Sequence, residues 1–150
     1  RCVCFSLESS TYLHFIACLQ FMNVIVTLNE LAIASFADGS LEDALKLFIE
    51  VLAIWQDTDE EDSSQWMANT LNNIGSTYFI LNEIGPSLEA FSEALEILRS
   101  YLIENLYTFV SGDLTSLSLV SLLQLALGNF TFSAKVKEDK SLADFVEIMT

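Results

Sequence analysis

The 150 residues include 52% apolar side chains and a formal net charge of −15, which together exclude a disordered chain and indicate one domain with a real core. Lys46 and Arg99 are the only cationic side chains between Arg1 and Lys135, so neither a phosphate backbone nor an anionic lipid surface finds the basic cluster it needs. Nucleic acid and membrane surfaces are therefore not expected partners, whereas electrostatic steering favours a neutral or basic one.

The first segment, Cys2 to Val26, holds all three cysteines, Cys2, Cys4 and Cys18. An odd number clustered at one end argues against a disulfide framework and for a reducing, cytoplasmic setting. Cys2-Val3-Cys4 has only His14 as a histidine companion and no second cysteine pair, too few ligands for zinc, so no metal is expected. The run Thr11–Val26 is 16 residues long and carries His14, Gln20 and Asn23, short of the about 20 apolar residues a spanning helix needs. Ser9–Leu19 is expected to be the remaining helix of a preceding unit. With Arg1 at its start, Thr150 at its end and so much apolar surface, the chain is expected to be a piece of a longer array.

From Leu28 the pattern sharpens. Leu28, Leu31, Ala32, Ser35 and Phe36 fall at i, i+3, i+4, i+7 and i+8, one face of a helix. Gly39 stands where a helix end favours a left-handed residue. Ser40 follows as an N-cap, with Asp43 three residues on as a near capping box. Leu41, Ala44, Leu45, Phe48, Leu52 and Trp55 stripe the second helix, and Glu42 and Asp43 suit its positive end. Gln56–Gln65 is acidic and polar and reads as a linker, with a new helix starting at Ser63 or Ser64. It is not a calcium loop, because Asp62 and Ala68 occupy the positions where the EF-hand requires Gly and Glu.

The next segment repeats the first. Thr27–Ile54 laid over Thr70–Ile97 without gaps gives nine identities in 28 positions, among them Leu28/Leu71, Asn29/Asn72, Phe36/Phe79 and Phe48/Phe91. A fixed period of 43 residues lies in the range of stacked repeat proteins. Asn82 takes the place of Gly39, and Pro86 falls in the first turn of the following helix, where its missing N–H has no partner to lose. Phe36, Phe48, Phe79 and Phe91 occupy expected core positions, and Trp55 and Trp66 flank the linker.

A worn third unit follows, covering 114–150. Leu117, Val120 and Ser121 match Leu28, Leu31 and Ala32, which puts a turn at Gly128-Asn129-Phe130, 46 residues beyond its counterpart in the second unit. Gly112-Asp113 separates this unit from the helix before it, and Ser141–Met149 reads as a closing helix. The expected fold class is thus all-α: one α-solenoid domain over 1–150, made of stacked helix–turn–helix units, with clear repeats at 27–55 and 70–98 and a degenerate third.

These units resemble the tetratricopeptide repeat family. Leu71, Ile74, Gly75, Tyr78, Ser87, Phe91 and Ala94 follow its pattern in the second unit, and Leu28, Leu31, Ala32, Ser35, Ala44, Phe48 and Val51 in the first. The period above 40 residues and the opening Leu71-Asn72-Asn73 are most similar to the kinesin-light-chain type. The likeness spans Thr27–Leu98, with a fainter continuation over Leu117–Phe130. It departs where Gln56 and Arg99 stand at the closing proline.

The resemblance implies a module that binds a protein or peptide partner on a concave face of first helices. Its peptide-binding residues there are Asn29, Asn72, Asn73, Ser76 and Phe79, with Ile33 beside them. Side-chain amides donate and accept, so they suit an extended backbone; Asn29 and Asn72 equally suit capping or bridging between helices. No phosphate loop, nucleophile elbow or paired-histidine metal motif occurs, so neither an enzyme nor a cofactor is expected. The alternative role is a structural spacer or self-association segment.

Overall fold

The computed structural model describes residues 10–58, 63–104 and 114–138. They form five helices: α1 (Ser10–Ala37), α2 (Leu41–Gln56), α3 (Ser63–Ile80), α4 (Ile84–Glu104) and α5 (Leu114–Glu138). Among the described residues there is no strand, so the all-α expectation holds. The chain divides into two compact units, Arg1–Asp59 and Glu60–Thr150. In the first, α1 packs on α2. In the second, α3 packs on α4, and α5 lies chiefly on α4 with a smaller contact to α3.

The two hairpins share one turn, hydrogen bond for hydrogen bond. In the first, the Gly39 N–H donates to the Phe36 carbonyl (3.1 Å) and the Ser40 N–H to the Ser35 carbonyl (2.9 Å). In the second, 43 residues on, the Asn82 N–H donates to Phe79 (3.0 Å) and the Glu83 N–H to Tyr78 (2.8 Å). These paired bonds close the last turn of a helix in a Schellman motif, which requires a left-handed residue at its corner. Gly39 supplies it with φ +83° and Asn82 with φ 61°. The expected capping box at Ser40 does not form. Its ψ of 66° turns the hydroxyl away from the α2 amides, and no side-chain capping bond is made.

Core positions repeat with the same period. Ile25, Ala32, Ala44, Phe48, Val51 and Trp55 are buried in the first unit; Ala68, Gly75, Ser87, Phe91, Ala94 and Leu98 are buried in the second. Of the four phenylalanines assigned to the core, Phe48 and Phe91 are fully enclosed, whereas Phe36 and Phe79 are half-buried because they sit at the rim of the hairpin. Trp55 is enclosed and Trp66 exposed. The approach is close at Gly75, where an added Cβ would stand 2.6 Å from Phe91 Cε1 and 2.7 Å from Cδ1. Only glycine lets α3 and α4 come that near.

Three expectations are corrected. Ser9–Leu19 is not a separate helix: α1 runs unbroken from Ser10 to Ala37, with no Gly or Pro to stop it. The apolar run therefore continues past Val26, and Ile16–Ala37 forms 22 residues of mean hydropathy 1.6, long and apolar enough to cross a membrane. The third correction concerns Gly128-Asn129-Phe130, which is not a turn. α5 passes straight through it, without the positive φ seen at Gly39. A glycine permits a break but does not impose one, and here packing decides.

The buried residues of α5 are Ala126, Ser133 and Val136. They stand 58 residues beyond Ala68, Gly75 and Tyr78, so the true offset of the third unit is 58 and not 46. With that register, Ser133 takes the small position held by Ala32 and Gly75, and α5 is the first helix of a third unit. Gly112-Asp113 and Ser141–Met149 lie outside the described residues.

Two substitutions test the hairpin core. Gly75→Ala improves helix propensity by about 1 kcal/mol, yet its methyl must displace an enclosed ring, an overpacking cost of about 1–3 kcal/mol. A net destabilisation is expected, read as a lower urea midpoint; an unchanged or raised midpoint would show that α3 and α4 are not in such contact. Ser87 works in the opposite direction. Its Oγ is enclosed with no hydrogen-bond partner, and the matching residue of the first unit is Ala44. Ser87→Ala is expected to raise stability by about 1 kcal/mol, since an unsatisfied buried hydroxyl is removed.

Candidate peptide-binding face

Three faces of α3 are distinguished by what covers them. Its small face meets α4 through Ala68 and Gly75. A second face meets α5: Asn72 is only 4% exposed, and its Oδ1 accepts a 3.0 Å hydrogen bond from Asn129 Nδ2. Two turns further along α3, the Phe79 and Phe132 rings lie with centroids 5.5 Å apart, tilted by 48°. Asn72 is thus a bridge between helices, as its type allows. Docking of α5 uses the amide and the ring that the resemblance assigned to a peptide.

The third face is open. Trp66, Asn69, Asn73, Ser76 and Ile80 follow one another at steps of 3 and 4 residues, which places them on one stripe of the helix. Trp66 and Ile80 are 51% and 37% exposed at its ends, and Asn69, Asn73 and Ser76 are half-buried between them. The hydroxyls nearby are already committed to the backbone. Ser76 Oγ donates to the Asn72 carbonyl (2.8 Å), Thr77 Oγ1 to Asn73 (2.8 Å) and Thr70 Oγ1 to Trp66 (2.9 Å). Asn69 and Asn73 are left as the amides that line the stripe.

Of the residues expected from sequence, α3 therefore brings Asn73 and Ser76 together on the open stripe and turns Asn72 and Phe79 toward α5. Asn29 is half-buried on α1, in the first unit. Asn69 and Trp66 were missed as site residues, although the spacing of Asn69, Asn73 and Ser76 carries the signal. The stripe is not duplicated. Its counterparts on α1 are Asn23, Val26, Glu30 and Ile33, with one amide in place of two.

Charge is divided between the helices. α3 contains no Asp, Glu, Lys, Arg or His, and α1 has a single carboxylate, Glu30. The second helices hold Glu42, Asp43 and Glu50 on α2, and Glu89, Glu93, Glu96 and Glu104 on α4. Lys46 Nζ pairs with Asp43 Oδ1 at 2.9 Å, and that hydrogen bond raises the lysine pKa. Both groups are largely exposed, so solvent screens the pair and it adds little. A recess of about 210 Å³ between α3 and α4 is lined by Ser64, Met67, Glu96, Ile97, Ser100 and Tyr101. Its one carboxylate has neither a histidine nor a second acid beside it. Among the described residues no group of three or more His, Cys, Asp or Glu is placed to hold a metal ion.

The hairpins with their shared turn, the small-residue contact and the 43-residue register agree with a profile of the tetratricopeptide repeat, which matches residues 23–100. The chain belongs to the tetratricopeptide repeat family. No curated protein and no solved structure matches it. Tetratricopeptide repeats mediate contacts between proteins, as modules or scaffolds. The match runs from the middle of α1 through α2 and α3 to residue 100 of α4, so it takes in both hairpin turns; α5 lies beyond it and adds the first helix of the next repeat.

The Asn72–Asn129 bond is expected to hold the third tetratricopeptide unit to the second. Asn72→Ala leaves a half-buried Nδ2 without its acceptor and should cost about 1–2 kcal/mol. Asn129→Ala should then add little, giving a non-additive double-mutant cycle. Additive losses in chemical denaturation would show that the two amides do not act on each other.

Proposed function

We propose that this chain is a protein-interaction module that holds an extended, neutral segment of a partner polypeptide along α3. The observation that carries the reading is the open stripe on α3. Two side-chain amides and a serine lie between Trp66 and Ile80, with no charge among them. Asn69 and Asn73 can each donate to a carbonyl and accept from an N–H of a peptide backbone, whatever its side chains. The exposed Trp66 ring supplies apolar area to one end of such a ligand.

The range of ligands narrows from neutral or basic toward neutral. The carboxylates that would draw a basic peptide belong to α2 and α4, not to α3. Long-range steering by the −15 charge still favours basic partners at low salt and disfavours acidic ones. The absence of a paired acid, base or nucleophile on the stripe supports binding in place of catalysis, and the odd cysteine count supports a reducing, cytoplasmic setting.

The test is a peptide-array screen followed by calorimetry of the best binders at two salt concentrations. Asn69→Ala with Asn73→Ala removes two amide contacts of about 1 kcal/mol each, so affinity should fall roughly tenfold or more while helix content is kept. Affinity for a neutral peptide should change little with salt. Binding untouched by the double variant, or confined to acidic peptides, would leave the spacer role as the better reading.

A further inference from the structure

The open stripe of α3 has a definite length and order. Trp66 and Ile80 close its two ends, 14 positions apart, which on an α-helix is about 21 Å. Between them stand Asn69, Asn73 and Ser76. Trp66 and Ile80 are large and apolar, 51% and 37% exposed, on a helix without Asp, Glu, Lys, Arg or His. On the reading that this stripe holds a peptide, we propose that its ligand carries two large apolar side chains six residues apart, at i and i+6, with small uncharged residues at i+2 and i+4.

Three constraints set this spacing. The first is distance. An extended chain advances about 3.3 Å per residue, so six residues cover about 20 Å, close to the separation of Trp66 and Ile80. The second is parity. Side chains of an extended chain alternate between its two faces, so residues an even number apart point the same way. At i and i+6 both ends turn toward α3; at i+5 or i+7 the second end turns away. The third is the pitch of the amides. Asn69 and Asn73 are four positions apart, about 6 Å along the helix. An extended chain turns its N–H and carbonyl to the same edge at every second residue, about 6.6 Å. Both amides can therefore engage backbone groups of the same kind, two residues apart, while the ends rest on Trp66 and Ile80. Side chains at i+2 and i+4 fall over Asn69, Asn73 and Ser76, where a bulky group would lift the backbone out of reach of the amides. Charge on the ligand would find no partner on α3.

The repeat register reserves two faces of a first helix for packing between units, and the stripe is on neither. One is the face of Asn72 and Phe79, which receives α5. The other is the face of Leu71 and Ile74, which stand 58 residues before Asn129 and Phe132, the residues by which α5 docks. Leu71 and Ile74 are buried, as that role requires.

Calorimetry of the whole chain with uncharged synthetic peptides tests the spacing. Each peptide sets two leucines at i and i+5, i+6 or i+7 in a serine–glycine background. The i+6 peptide should bind about tenfold more tightly than the other two, and replacing either leucine by alanine should remove that advantage. Trp66→Ala should lose its effect once one of the leucines is alanine, and Ile80→Ala once the other is. Both variants should keep their circular-dichroism helicity, and the comparison of spacings needs neither. Equal affinity for the three spacings, or tightest binding at i+5 or i+7, overturns the proposal; if Asn69→Ala with Asn73→Ala still weakens that binding, the peptide stripe itself stands. Binding by none of the three peptides, or affinity untouched by the asparagine pair, overturns both.

Discussion

The contact on which this molecule depends is that between a small residue on the first helix of each repeat and a phenylalanine on the second. Gly75 against Phe91 leaves no room for a methyl group. Ala32 and Phe48 occupy the same two positions in the first unit, and both are enclosed. Interaxial distance follows from the side chains at the crossing, so these small residues set how close the helices lie. That separation in turn decides which neighbouring positions are buried. The identity of the turn follows too, because hairpins of equal spacing need the same chain reversal, and Gly39 and Asn82 both provide it.

This division of labour explains why the repeat copies some residues and not others. Enclosed positions recur at every 43 residues because the hairpin fails without them. Positions on the open faces are unconstrained by the hairpin and have diverged. The α3 stripe is rich in amides, whereas the corresponding part of α1 is largely apolar. Carboxylates collect on α2 and α4 and leave the first helices nearly free of charge. The scaffold is therefore repeated, and the open surfaces are particular to each unit.

The fold of the first two units was legible in sequence because its determinants are local or strictly periodic. A left-handed turn residue, a proline in a first turn and a buried stripe each announce themselves within a few residues. The third unit was misread for the opposite reason. Gly128-Asn129 looks like a turn in isolation, but Ala126, Ser133 and Val136 bury one continuous face, and Asn129 bonds to Asn72 some 57 residues away. Tertiary packing overrode local propensity there. The open stripe of α3 was half legible. Neighbouring positions on a helix point about 100° apart, so Asn72 and Asn73 serve different surfaces. Which of them meets solvent depends on where α5 lies, and nothing around residue 72 announces that.

One position shows how far such differences reach. Asn72 and Asn29 are the same residue at the same place in the repeat, and their helices end in the same hydrogen-bonded turn. In the second unit a first helix from the next repeat covers the position, and the amide finds its partner within the chain. In the first unit the corresponding amide is half-buried on α1, between Val26 and Ile33 on the same side of the helix. A polar group beside apolar side chains gains most from a partner that brings both kinds of contact at once. What an asparagine does at this place in the repeat is therefore decided by the helix that packs over it, and not by the hairpin that carries it.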